Sequence, residues 1–113
     1  MVPKLAYVIE FVDDMSRAVA FYRDVVGLAL KFESPQWSEF ATGETTLALH
    51  PASRVNQAGR VELGFAVPDL QAFYGAMTAK GVKFPDAPKK QEFGELLAQF
   101  VDSEGASVSV SGK

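Results

Sequence analysis

Apolar and polar residues along this chain follow two different periods, and the change from one to the other happens twice. Residues 5–12 are rich in Val, Ile, Phe and Tyr and read as a strand. From Met15 the period lengthens, with Met15, Ala18, Val19, Tyr22, Val25 and Val26 forming one apolar stripe at helical spacing. Asp14 stands where an N-cap belongs, and Gly27 where a left-handed residue ends a helix. Three strands are then predicted at about 28–34, 36–42 and 45–50, broken by Pro35 and by a Thr42-Gly43-Glu44 turn.

The same order returns after a polar stretch at 52–59. A strand near 60–67 precedes a helix that starts at Asp69 behind Pro68, carries Leu70, Phe73, Tyr74 and Met77 on one face, and stops at Gly81. Strands are expected near 82–84, 95–102 and 105–111, with an irregular loop from 85 to 93 holding two prolines and two lysines. The chain is thus read as one domain made of two repeats, about 3–51 and 60–111, joined by a linker at 52–59. Each helix is amphipathic and covers one face of a sheet.

Period-two alternation sorts the strand residues into two faces. Phe40, Leu47, Leu49, Leu63, Phe65, Val67, Phe100, Val108 and Val110 fall on the side expected to meet the helices. The opposite side carries Tyr7, Phe11, Trp37, Glu39, Thr46, Ala48, His50, Glu62, Gly64, Gln99, Ser107 and Ser109. Aromatic rings, small residues and a few polar groups make a composition suited to a ligand pocket. Glu10 falls on the helix side of the first strand, and nothing in the sequence accounts for it.

Composition narrows the chemistry. The chain has 113 residues, enough to bury a core without cross-links, and no cysteine, so disulfides and thiolate chemistry are excluded. A formal charge of −3, with Lys89-Lys90 the only adjacent basic pair, argues against nucleic acid as a partner. No apolar run approaches membrane-spanning length and no signal-peptide pattern opens the chain, so a cytoplasmic protein without a membrane partner is expected.

Several stretches together resemble the vicinal oxygen chelate superfamily, the glyoxalase, bleomycin-resistance and dioxygenase fold. They are Phe11-Val12-Asp13-Asp14-Met15, Phe21-Tyr22-Arg23-Asp24-Val25-Val26-Gly27-Leu28, Val67-Pro68-Asp69-Leu70 and Phe100-Val101-Asp102-Ser103-Glu104-Gly105. The resemblance implies an α+β fold: two tandem βαβββ repeats forming an open, cup-shaped mixed sheet, with a helix packed on the outside of each repeat. It also implies a homodimer. Enzymes of the superfamily usually hold a divalent metal in the concave face. Their ligand positions, early in the first strand and late in the last strand of each repeat, fall here on Tyr7, Ala48, Glu62 and Ser109. Alanine has no donor atom, and neutral hydroxyls are poor ligands for Zn²⁺ or Fe²⁺, so no metal and no cofactor are expected.

The function expected on this basis is metal-independent binding or sequestration of a small, partly aromatic, neutral or cationic molecule, as in the drug-binding members. Its contacts would come from Tyr7, Phe11, Trp37, Glu39, Thr46, His50, Glu62, Gln99, Ser107 and Ser109. Trp37 beside Glu39 suits a cation, an aromatic face and an acid acting together, although Trp37 equally suits packing or a dimer interface. His50 is either functional or a strand-end residue next to Pro51, and Glu62 either a pocket carboxylate or a solvated one. The alternative is an enzyme in which Glu39, Glu62 or His50 acts as general base beside a carbonyl, with or without an atypical divalent metal. A third reading is a degenerate scaffold whose hollow is filled by its own side chains.

Overall fold

The computed structural model describes residues 2–113 and is α+β, with two βαβββ units in tandem. One compact unit spans Ala6–Val61 and the other is built on Glu62–Lys113. In the first, β1 (Lys4–Val12) is followed by α1 (Met15–Ala20), a π-helical stretch (Phe21–Val26), β2 (Ala29–Phe32), β3 (Ser38–Ala41) and β4 (Thr46–Pro51). In the second, β5 (Val61–Val67) leads to α2 (Leu70–Ala79), β6 (Asp86–Lys90), β7 (Leu96–Val101) and β8 (Ser107–Gly112). Both units order their strands alike, β1-β4-β3-β2 and β5-β8-β7-β6. The first strand pairs parallel with the fourth, and the remaining pairs are antiparallel.

Both helices begin as the sequence predicts. The Asp14 carboxylate accepts from the Arg17 amide at 3.0 Å and the Asp69 carboxylate from the Ala72 amide at 3.0 Å, each satisfying an amide the first turn leaves unpaired. Beneath α1 lies a core of Val12, Val19, Phe40 and Leu49, joined by Met15, Tyr22 and Leu47. Beneath α2 lie Val67, Leu70, Phe73, Ala98 and Val110, joined by Phe65 and Phe100. Of the helix-facing residues that the alternation selected, Phe40, Leu47, Leu49, Phe65, Val67, Phe100 and Val110 lie in these two cores, Val108 is buried outside them, and Leu63 is 40% exposed.

The first helix departs from its predicted stripe. Past Ala20 the turns widen to π geometry, and the amides of Gly27 and Leu28 both reach the Tyr22 carbonyl. A wider turn advances each side chain by a smaller angle, so residues ten and eleven beyond Met15 rotate off the buried stripe. Val25 is accordingly 74% exposed and Val26 50%. Gly27 closes the stretch at φ +89°, a conformation glycine adopts without steric cost.

The second departure is at β6. No strand forms at 82–84, and the segment expected to be an irregular loop is the strand instead. Pro88 lacks a ladder donor, but β6 is an edge strand whose register with β7 shifts between Asp86 and Lys89, so the missing donor is tolerated.

Glu10 now has its reason. The Tyr22 hydroxyl donates to the Glu10 carboxylate, so the acid on the helix side of β1 is met by a phenol from the helix. That bond, with burial and the nearby negative charge, raises the Tyr22 pKa from 10.0 to about 12. An unfolded tyrosine releases its proton near 10.0, so between there and about pH 12 the folded state holds more protons than the unfolded one. The stabilisation is fully present below pH 10 and is lost as pH rises through 12. Tyr22→Phe should cost about 1 kcal/mol at neutral pH, Glu10 being only half-buried. It should also remove the decline in urea midpoint expected of the natural chain across the alkaline window.

Candidate functional site

Register fixes which predicted residues share a face. In the first unit β1 and β4 pair Tyr7 with Thr46, Ile9 with Ala48 and Phe11 with His50, while β3 places Glu39 opposite Ala48. Because residues paired across a ladder point the same way, Tyr7, Phe11, Glu39, Thr46 and His50 stand together on the face away from α1. Trp37 joins them from the turn before β3. There the Ser34 hydroxyl accepts from the Trp37 amide at 3.1 Å and donates to its carbonyl at 2.8 Å, pinning the residue on both sides.

The aromatic rings on this face touch edge to face in a continuous row. Tyr7 and Trp37 have centroids 5.9 Å apart, Trp37 and His50 6.3 Å, and His50 and Phe11 5.6 Å. Under the row sits a small core that the sequence did not single out, Ile9 with Phe11 and Ala48, flanked by Ala52. Phe11, expected among the ligand contacts, is itself only 5% exposed and belongs to this core, which forms when Ala48 on β4 pairs beside Ile9 on β1.

The Trp37 indole does not present its face to Glu39. Its N–H donates to Glu39 Oε2 at 2.7 Å, so acid and ring are joined at the ring's edge. The other oxygen, Oε1, lies 3.7 Å from the Lys31 ammonium. His50 is exposed at the strand end, with Nδ1 2.9 Å from the Pro51 carbonyl. A carbonyl oxygen only accepts, so Nδ1 is the donor in this contact.

In the second unit the structure brings Glu62, Gln99 and Ser109 into contact. Glu62 is only 7% exposed. Its Oε2 accepts from Gln99 Nε2 at 3.2 Å and from the Ser109 hydroxyl, so β5, β7 and β8 meet through one carboxylate oxygen. Both donors are neutral and both choose Oε2. Ser107 is paired with Val101 at the exposed start of β8 and takes no part in this cluster. A cavity of about 410 Å³ lined by Lys80, Val82, Lys83, Val101 and Asp102 contains none of the predicted residues.

The positions that the resemblance assigns to a divalent metal do not fit one. Ala48 offers no donor and is fully enclosed, and Ser109 spends its hydroxyl on Glu62. Among the described residues no three of His, Asp and Glu gather closely enough to hold an ion. No helix among them is long and apolar enough to cross a membrane.

Paired βαβββ units with caps and strand order of this kind define a glyoxalase-type fold, and residues 4–110 match the Glyoxalase/Bleomycin resistance protein/Dioxygenase superfamily. The chain belongs to that superfamily. It is 26% identical to Uncharacterized protein YetH of Bacillus subtilis (strain 168), over 93% of this chain and 94% of that protein. Among solved structures, methylmalonyl-CoA epimerase from Mycobacterium tuberculosis superposes with a TM-score of 0.79 at 17% identity, covering 96% of this chain and 86% of that one. Hypothetical protein BH1468 from Bacillus halodurans C-125 also gives 0.79, at 14% identity over 100% of this chain and 96% of that one. At such identities the structural likeness speaks for the fold.

Proposed function

We propose that this chain binds a small, partly aromatic, neutral or cationic molecule without a metal, on the face that carries Tyr7, Trp37, Glu39, Thr46 and His50. The supporting observation is the unbroken row of rings, in which Tyr7 and Trp37 are half-buried, His50 is exposed and Phe11 is buried beneath them, with a carboxylate at its edge. Rings held by packing lose little freedom when a flat molecule lies against them. The drug-sequestering behaviour and homodimer implied by the superfamily belong to the same proposal.

Trp37 is the only tryptophan, so its emission reports on this face alone. Titration with a panel of aromatic amines and glycopeptide-type drugs should give a saturable change for at least one compound. Tyr7→Ala should weaken that compound roughly fivefold to tenfold, the worth of one aromatic contact. A silent panel, together with a Glu39→Gln variant that behaves like the natural chain, would refute the reading.

One observation favours an enzyme instead. Glu62 is buried and is steadied on one oxygen by two neutral donors. Oε1 is thereby the oxygen placed to take a proton from carbon next to a carbonyl. The fold likeness to methylmalonyl-CoA epimerase makes acyl thioesters sensible probes. On this reading, solvent deuterium enters the α-carbon of such a thioester, and Glu62→Gln slows entry at least about a hundredfold. Absence of exchange across the probes leaves binding as the function.

A further inference from the structure

Between β2 and β3 the ladder slips by one residue. Ala29 pairs with Ala41 and Leu30 with Phe40, so an unbroken register would set Lys31 opposite Glu39; instead Phe32 takes that place. Two residues of β2, Lys31 and Phe32, therefore face one residue of β3, the arrangement of a bulge, and bulges re-aim the side chain they carry. Here the re-aimed group is an ammonium, 3.7 Å from Glu39 Oε1.

The two partners differ in surroundings. The Lys31 side chain is 60% exposed and that of Glu39 18%, and Glu39 Oε2 is already committed to the Trp37 indole. Withdrawing the ammonium would leave a sheltered negative charge with one neutral donor, which is unfavourable. The cation itself would return to water at little cost, because an ion pair with one largely solvated member is weakly held. Such a carboxylate accepts a replacement cation readily.

We propose that Lys31 is a tethered occupant of an organic-cation site at Glu39. Its ammonium holds the place taken by a compact primary ammonium group of the ligand, and it swings outward from the bulge when that group arrives. This deepens the binding reading, and rests on it for the claim that the displacing ammonium belongs to the bound molecule. Lys31 is then a specificity residue that sets a threshold against weak cations such as Na⁺.

The test is chemical rescue. In Lys31→Ala, and in Lys31→Met as a second variant that keeps an apolar stem, the single indole N–H proton resonance should move from its position in the natural chain. Ethylammonium chloride in the millimolar range should bring it back saturably, whereas sodium chloride at the same ionic strength should not. The natural chain should respond at least about fivefold more weakly, since its own ammonium competes, and Lys31→Ala/Glu39→Gln should not respond. Equal responses in the natural chain and Lys31→Ala, or equal effects of sodium and ethylammonium, would overturn the inference. So would an indole resonance that ignores both the substitution and the salt. A neutral aromatic probe, benzyl alcohol, separates the two proposals. If it binds equally well to both chains while ethylammonium does nothing, the aromatic face stands and the tethered cation falls. Rescue without any aromatic binding gives the reverse.

Discussion

Gly112→Ala should destabilise the protein by about 3 kcal/mol, a loss on the order of 10 °C in melting temperature for a chain of this size. Gly112 pairs with Val67 across the parallel β5–β8 ladder. A β-carbon there would lie 2.4 Å from the Val67 carbonyl oxygen and 3.3 Å from the Leu70 β-carbon. The first of these neighbours is backbone at the junction of β5 and α2, so it yields only if the strand or the helix start moves. The Lys113 carbonyl accepts from the Leu70 amide at 3.2 Å, which ties the same junction to the end of the chain. Gly75→Ala is the matched control. Gly75 lies within α2 with nothing inside 4 Å of the added atom, so alanine should stabilise by roughly 0.5–1 kcal/mol through helix propensity. Thermal melts of both variants check the pair, and a neutral Gly112→Ala would contradict the close approach.

The second large effect is expected at Ser109. Ser109→Ala takes one of two neutral donors from the Oε2 oxygen of the buried Glu62 carboxylate, a loss of roughly 2–3 kcal/mol for a charge-assisted bond to a buried group. Glu62→Gln combined with Ser109→Ala should cost less than the sum of the two single changes, because the neutral amide no longer needs the hydroxyl. Urea denaturation of the three variants measures that coupling directly. Additive costs would mean that the serine acts elsewhere.

Much of the fold was legible because it rests on local chemistry. Asp14 and Asp69 cap their helices from their own positions, and the alternation in β4, β7 and β8 sorts residues onto the faces they occupy. What failed depended on distant partners or on backbone detail. Val25 and Val26 fit an ideal helical stripe, but the turn beneath them is π. Residues 86–90 contain a proline that excludes a central strand, and only the sheet order reveals that this strand is at an edge. Glu10 looked misplaced because its phenolic partner, Tyr22, is twelve residues away on another element. The site was legible by residue more than by arrangement. Alternation placed Trp37 near Glu39 and put Glu62, Gln99 and Ser109 on one face, yet the edge-on indole and the convergence on one Glu62 oxygen follow from side-chain directions that spacing does not encode.

Ala48 limits what its position can be made to hold. It is enclosed between Ile9 on one strand and Glu39 on the other, with Phe11 completing the cluster. An imidazole placed there would collide with these neighbours, because Ala48 is fully enclosed. Placing a coordinating side chain at this position therefore requires neighbouring side chains to shrink at the same time.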